Sequence, residues 1–172
     1  MQRGVEVAPE LGMAEPWLPR VQQAVAGLPT AADRPLTELA RGVDPAWQAA
    51  LRQLRTREQM RFIARDLQRL CTLPELTREL SEFADAVLEI SLAHAHADVA
   101  LLHGEPIGED SGQPQQMIII GMGKLGAHEL NLSSDIDLMF TYAEDGETDG
   151  RRAISNQEFF VKVGQRIIQL LD

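Results

Sequence analysis

The sequence lacks several features, and each absence excludes a class of protein. It has a single cysteine, Cys71, so no disulfide can form within the chain, and this usage fits a reducing compartment. It has 16 Lys and Arg against 26 Asp and Glu, a net charge of −10, which argues against a general nucleic-acid-binding protein. It has no apolar run of membrane-spanning length and no apolar signal-peptide core at its start. We therefore expect a soluble, cytoplasmic protein that binds neither nucleic acid nor membrane.

What is present fits an α+β protein in three segments. The chain has 172 residues, 44% of them apolar, enough for one ordinary domain or for a small domain and part of another. Residues 1–45 are predicted to be irregular: a loose tail over 1–15, then short helical pieces between prolines. Residues 46–111 are predicted to form a helical subdomain. Residues 112–172 have the alternating strand, turn and strand character of a different unit.

Two long helices are predicted in the helical subdomain, over 46–70 and from about 74 to 103. Thr72 and Glu75 have capping-box spacing at the start of the second helix. Its apolar positions step alternately by four and three, which predicts a seam packed antiparallel on the previous helix. The seam positions are Leu76, Leu80, Phe83, Val87, Ile90, His94, Ala97 and Leu101.

Three sets of side chains in these helices have competing interpretations. Arginines 57, 61, 65 and 69 form a row at i,i+4 spacing, which we interpret as a solvated face paired with Glu58 and Asp66 rather than a surface for an acidic partner. His94, His96 and His103 suggest zinc, but a His-x-His pair points its rings in different directions on a helix, so we expect structural roles. Cys71 lies in a helical pattern and is expected to be a buried, inert thiol.

The central motif lies in the third segment. An apolar run, 117–120, predicts a buried strand. A glycine-rich turn with a lysine follows, and then come two serines and two aspartates one residue apart, before a strand over 138–142. The motif residues are Gly121, Gly123, Lys124, Gly126, Ser133, Ser134, Asp135 and Asp137.

The residue types of this motif suit phosphate and metal chemistry. Glycines let backbone amides approach a phosphate, and Lys124 can place a point charge on a phosphate oxygen. Side chains two apart in a strand share a face, so Asp135 and Asp137 should point the same way, roughly 7 Å apart. Two hard carboxylates beside a phosphate-binding turn are suited to Mg²⁺. Ile136, Leu138 and Phe140 should then face a core.

Two other interpretations of the motif are open. Gly121-x-Gly-x-x-Gly126 also matches the dinucleotide-binding fingerprint of oxidoreductases, but too few residues follow for the long helix of that unit, and it gives the aspartate pair no role. Alternatively, the glycines form only a tight turn and the aspartates are exposed strand-start residues.

The remaining elements are also predicted from the sequence. They are a linker over 104–115, a polar loop over 143–152 and a helix capped by Ser155 and Glu158.

The stretch Gly-Met-Gly-Lys-Leu-Gly-x-x-Glu-Leu-Asn-x-Ser-Ser-Asp-Ile-Asp-Leu resembles the signature of the glutamine synthetase adenylyltransferase family, also called the adenylyl-removing enzyme, within the polymerase-β-like nucleotidyltransferase superfamily. The resemblance runs from about residue 50 to 172 and includes Gln157-Glu-Phe-Phe-x-x-x-Gly-Gln-Arg166. It implies an α+β fold: a helical lead-in, expected as an antiparallel helix pair, and the first part of a nucleotidyltransferase domain over 112–172. In that family one domain attaches AMP to a tyrosine of glutamine synthetase, and a related domain removes it by phosphorolysis, releasing ADP. The glycine turn, the Glu129-Leu-Asn131 stretch and the last helix look more like the removing domain.

The resemblance also implies roles for single residues. Asp135 and Asp137 would be the catalytic, Mg²⁺-binding pair, and Gly121, Gly123 and Lys124 would form the phosphate-side turn. Ser133 or Ser134 would donate to a phosphate oxygen. The family's third metal-site carboxylate is expected beyond residue 172, since Glu144 and Asp145 fall in a loop past the strand.

Implied partners are glutamine synthetase, ATP, ADP or phosphate, and a PII-type regulatory protein. Because only two of the three carboxylates are expected in this chain, a non-catalytic nucleotide-sensing or partner-binding module is the alternative function.

Overall fold

The computed structural model describes residues 16–172, so the tail predicted over 1–15 lies outside the described residues. The helices are α1 (Trp17–Val25), α2 (Leu36–Leu39), α3 (Pro45–Leu67), α4 (Leu73–His103), α5 (Gly123–Gly126) and α6 (Asn156–Leu171), with a 3₁₀ turn at Ala31–Asp33. The strands are β1 (Pro106–Gly108), β2 (Ile118–Gly121), β3 (Leu138–Thr141) and β4 (Gly146–Thr148). This mixed composition agrees with the expected α+β class. Within residues 16–172, no helix combines the length and apolarity needed to cross a membrane.

Side-chain caps set where the long helices begin. Asp44 accepts a hydrogen bond from the backbone N–H of Ala46 at 2.7 Å, with Pro45 in the first turn of α3. The capping box of α4 is confirmed: the Thr72 N–H donates to the Glu75 carboxylate at 2.7 Å, and the Glu75 N–H donates to the Thr72 hydroxyl. Ser155 caps α6 as predicted, although the Glu158 carboxylate pairs with Lys162.

Helix α4 is the centre of the helical part. It packs mainly against α6 and α1 and less against α3, so the expected two-helix arrangement is too simple. The predicted seam holds at Leu76, Leu80, Phe83 and His94, which are buried, but Ala97 and Leu101 are exposed. Because several elements cover α4, its buried positions spread around the helix instead of following one stripe.

The arginine row is solvated only at its ends, since Arg57 and Arg69 are exposed while Arg61 and Arg65 are largely covered. Glu58 is 1% exposed and accepts hydrogen bonds from Arg20 of α1 at 2.8 Å and from Arg61 at 2.8 Å. Glu79 of α4 accepts from Arg65, which is itself buried. Arg57 also pairs with Glu58, as predicted, while Asp66 is absent from the ion pairs among residues 16–172. The row therefore joins α1, α3 and α4, because partners from other helices cover its middle.

A second buried ionic cluster joins the chain's distant parts. Asp98 of α4 is fully buried, and its Oδ2 accepts from Arg34 at 2.8 Å and from Arg166 of α6 at 2.7 Å. His94 lies one turn away, with its ring stacked on Trp47 at 3.8 Å between centroids. Burial lowers the pKa of His94, so the neutral ring is favoured there. The structural role expected for His94 agrees with this packing.

Within residues 16–172, four short strands form two separate antiparallel pairs, β1 with β4 and β2 with β3. The first pair corrects two predictions, because β1 lies in the supposed linker and β4 in the supposed polar loop. The second pair places Gly121 opposite Leu138. The prediction of a buried strand here is wrong, since Ile118 and Ile120 are about half exposed. Ile119 and Phe140 pack against the core on the other face.

Candidate functional site

Strand register brings the two halves of the central motif together. Beyond the Gly121–Leu138 pair, the Met122 N–H donates to the carbonyl of Asp137 at 2.9 Å. The glycine turn therefore leaves β2 directly beside the point where the aspartate segment enters β3. The sequence predicted both pieces, and the pairing of β2 with β3 supplies their adjacency.

Two glycines of the turn are required by the backbone itself. The turn is the single helical turn α5. Gly123 has φ +54°, a conformation that favours glycine, and a Cβ on Gly126 would lie 2.4 Å from the carbonyl oxygen of Gly121. Leu125 is buried beneath the turn. The turn is therefore held in a fixed shape, with its outer side exposed.

Lys124 lies on that exposed side. Among residues 16–172 it forms no ion pair within 4 Å, so its ammonium group faces solvent. The first N–H groups of a helical turn have no acceptor within the turn. An exposed ammonium group and free amides beside each other suit an anionic ligand. The four-residue length of α5 also disagrees with the long helix of the dinucleotide-binding unit.

Asn131 organises the serine pair, and we did not predict this role. Its side-chain oxygen accepts from the Ser133 hydroxyl at 3.1 Å, the Ser133 N–H at 3.1 Å and the Ser134 hydroxyl at 2.8 Å. The signal was present, because an asparagine two residues before a serine favours an Asx turn. Either hydroxyl must leave Asn131 before it can donate to a phosphate.

The loop that carries these residues is anchored on α4. Leu130 is buried, and its N–H donates to the hydroxyl of Ser81 at 3.2 Å. Ser81 in turn donates to the carbonyl of Thr77 one turn earlier. Helix α4 therefore fixes the position of this loop, and with it the path by which the aspartate segment enters β3.

Asp135 and Asp137 lie just before β3, not within it. Both are exposed, and neither forms an ion pair with another residue of 16–172. Leu138 and Phe140 pack against the core as expected, whereas Ile136 is exposed and does not. The carboxylates are thus unpartnered and open to a cation.

No third carboxylate joins them in the described part of the chain. Residues 16–172 contain no group of three or more His, Cys, Asp or Glu side chains placed to hold a metal ion. Glu144 accepts from the N–H of Ser111, and Asp145 accepts from the hydroxyl of Tyr142, both past the far end of β3. Both acids therefore accept hydrogen bonds away from the aspartate segment.

A cleft of about 530 Å³ opens beside Asp135, and Asp137 is not among the residues that line it. Ser134, Asp135 and Ile136 form one side, and Leu80 and Phe83 of α4 lie on another. The cleft joins a charged edge to an apolar wall, an arrangement typical of sites for ligands with an apolar part and an anionic part.

Comparison of the sequence with known proteins identifies its family. The family model described as glutamate-ammonia ligase adenylyltransferase matches residues 13–172. The chain is similar to a curated Pseudomonas aeruginosa protein named bifunctional glutamine synthetase adenylyltransferase/adenylyl-removing enzyme, with 53% identity over 123 residues, 71% of this chain and 12% of that protein.

Two further relatives have the same name. One from Chromobacterium violaceum is 51% identical over 141 residues, 82% of this chain and 15% of that protein. One from Acinetobacter baylyi is 53% identical over 126 residues, 73% of this chain and 14% of that protein. The chain thus spans 12–15% of the length of these relatives. Since the family model matches nearly all of the sequence, the chain belongs to the glutamate-ammonia ligase adenylyltransferase family.

Proposed function

We propose that this chain carries the glycine-turn and aspartate part of a Mg²⁺-dependent nucleotidyltransferase site that acts on glutamine synthetase. The observation that carries the proposal is the β2–β3 register, which sets the Asp135–Asp137 segment beside the glycine turn. Family membership supports the reaction class, and the names of the relatives support glutamine synthetase as the protein substrate. The polymerase-β-like fold for residues 112–172 is part of this proposal.

Asp135 and Asp137 fit a hard cation in chemistry and exposure. Both offer carboxylate oxygens, both are exposed, and no cation of the described chain neutralises either one. They would hold Mg²⁺, which when bound neutralises charge on phosphate oxygens. Two carboxylates give an incomplete set, so a further ligand from outside residues 16–172 belongs to the proposal.

The other motif residues would bind and orient the phosphate. The Lys124 ammonium group can pair with a phosphate oxygen, and the amides at the start of α5 can donate to the same group. Ser133 or Ser134 would exchange its bond to Asn131 for a bond to phosphate. The apolar wall of the cleft beside Asp135 would exclude water from one side of the reacting group.

Two reactions could use this arrangement, and we propose removal of AMP for this chain. In removal, phosphate attacks the adenylyl phosphorus and the tyrosine phenolate leaves, giving ADP. In attachment, the tyrosine oxygen loses its proton and attacks the α-phosphorus of ATP, the bond from that phosphorus to the bridging oxygen breaks, and pyrophosphate leaves. The proposal of removal rests on the resemblance of the glycine turn and the last helix to the removing domain. A PII-type protein as regulator is proposed on the same ground.

A second candidate function is a nucleotide-sensing or partner-binding module without turnover. One observation favours it: the two aspartates have no third carboxylate among residues 16–172. Under this alternative the Asp135 and Asp137 side chains would affect nucleotide affinity but not a chemical rate.

The test is Asp135→Asn and Asp137→Asn in the full-length enzyme, with both reactions measured. We expect at least about a 10³-fold loss in the rate of the reaction run by this domain, because positioning and charge stabilisation are lost together. Asp110→Asn, an exposed acid on a loop away from the motif, is the matched control and should keep wild-type rates. Wild-type rates and an unchanged Mg²⁺ requirement in both aspartate variants would contradict the metal assignment.

A further inference from the structure

A second cavity, of about 360 Å³, lies apart from the aspartate cleft. Its charged and ionisable lining comes from separate parts of the chain: Arg41 after α2, His103 at the end of α4, Arg152 before α6, and Lys162 and Arg166 on α6. Two glutamines of α6, Gln165 and Gln169, add amide groups. None of these residues belongs to the glycine turn, the serine pair or the aspartate segment.

The charge of this lining is opposite to that of the protein. The chain has a net charge of −10, yet no described residue that lines the cavity is acidic. Lys162, Arg166 and Gln169 recur at three- to four-residue spacing on α6 and so share one face of that helix. A cationic concavity on an acidic molecule is suited to concentrate a small anion.

Arg166, at the base of the cavity, belongs to the buried ionic cluster in which two arginines face two aspartates. Arg166 donates to Asp98 at 2.7 Å and to the carbonyl of Leu39, but Asp98 is shared with Arg34 at 2.8 Å. Asp44 lies 3.6 Å from the Arg34 guanidinium and balances that second arginine. Burial lowers the pKa of Arg166, and Asp98 opposes this shift only in part. An anion bound in the cavity would stabilise the charged form of Arg166 and so offset the cost of its burial.

The outer cations of the cavity are available to a ligand. Arg41 and Arg152 are exposed, and neither forms an ion pair with residues 16–172. Lys162 pairs with Glu158 at 3.3 Å, but this is an exposed i,i+4 pair of small net value that an anion can replace.

We propose that this cavity is a binding site for a small phosphate-bearing anion, separate from the aspartate site. Guanidinium groups bind phosphate through two parallel hydrogen bonds, an ammonium group adds a point charge, and the two glutamine amides can donate to further oxygens. The volume fits a compact metabolite rather than a macromolecular segment. Helix α6 connects the two sites, since Ile168 and Leu170 line the aspartate cleft while Lys162 and Arg166 line this cavity.

The experiment is calorimetric titration of the 172-residue chain with inorganic phosphate, AMP and citrate, in metal-free buffer at about 0.15 M salt. Without divalent metal, the aspartate site should contribute little to the heat. We expect saturable binding of phosphate or AMP, with citrate weaker. Arg41→Ser and Arg152→Ser should each weaken the affinity about tenfold, the value of one charge-assisted contact.

Two control variants separate this site from the rest of the molecule. Arg151→Ser removes the neighbouring exposed arginine, which does not line the cavity, and should keep wild-type affinity. Lys124→Ser should also keep it. Loss of binding in Lys124→Ser would place the phosphate at the glycine turn and overturn the inference while leaving the proposed function intact. No saturable binding, equal weakening by Arg151→Ser and Arg152→Ser, or tighter binding of citrate than of phosphate would each overturn it.

Discussion

The helical part and the β2–β3 pair of this protein are built in opposite ways. Helices α1, α3, α4 and α6 share a continuous core, crossed by two buried ionic clusters centred on Glu58 and Asp98. The β2–β3 pair, in contrast, has one face on that core and one face open, with half-exposed Ile118 and Met139. Among residues 16–172, each of its strands pairs on one side only.

This difference separates residues that hold the fold from residues available for chemistry. The charged groups of the two ionic clusters, centred on Glu58 and Asp98, are mostly buried and are paired across helices. The charged groups of the central motif, Lys124, Asp135 and Asp137, are exposed and unpartnered within the described chain. Unpaired charges beside a sterically fixed turn are typical of a site that awaits a ligand. The comparison therefore predicts that stability and activity respond to different substitutions.

The largest expected effect on stability is in the ionic cluster of the helical part. Asp98→Ala should lower the free energy of unfolding by about 3–5 kcal/mol, because Arg34 and Arg166 would remain buried without their shared carboxylate. Denaturant unfolding measures the change. Asp85→Ala, an exposed position on the same helix, is the control and should stay within about 0.5 kcal/mol of wild type. Equal losses of unfolding free energy in the two variants would contradict the distinction between buried, paired charges and exposed charges.

A smaller effect is expected from pH at His94. Its folded-state pKa is lowered, chiefly by burial, so below the unfolded value of 6.5 the unfolded chain binds more protons and stability falls as pH falls. This stabilising contribution is fully present above pH 6.5. Below it, one titrating group can lower the free energy of unfolding by at most about 1.4 kcal/mol per pH unit. His94→Phe keeps an aromatic ring against Trp47 and should flatten this part of the stability curve. An unchanged curve would show that His94 does not contribute to it.

The smallest stability effect is expected on the open face of β2. Ile118→Lys should change the free energy of unfolding by no more than about 0.5 kcal/mol, because the side chain is already half exposed. It should nevertheless reduce self-association, since an open apolar face with unpaired strand edges favours it. Size-exclusion chromatography with light scattering measures the mass. A large loss of stability would mean that this face is part of the core after all.

The helices were predictable because their signals are local. Periodicity and caps placed α3 and α4 within a few residues, and Phe83 is buried as expected. The role of the arginine row was not predictable, since Arg20 and Glu79 reach it from other helices. The strands β1 and β4 were missed because three residues such as Pro106–Gly108 have no periodicity, and only distant pairing defines them.

The central motif was predicted as a unit because its spacing is short and its residue types are unusual together. The sequence predicted both pieces of the motif, but their adjacency comes from the pairing of β2 with β3, which was not predicted. The exposure of Ile118 and Ile120 was not predicted either, since an apolar run does not tell which of its faces is covered. The basic cavity was not predictable, because Arg41, Arg152 and Arg166 are far apart in sequence. The metal and phosphate roles of the motif residues stay predictions.

We propose that Asp135 and Asp137 bind a divalent cation beside the glycine turn. The most direct test is Mn²⁺ titration of the 172-residue chain, followed by paramagnetic broadening of backbone amide resonances. We expect broadening centred on residues 121–124 and 133–138, and its loss in Asp135→Asn and Asp137→Asn. Broadening centred on Glu144, Asp145 and Asp149, or broadening that survives both substitutions, would contradict it.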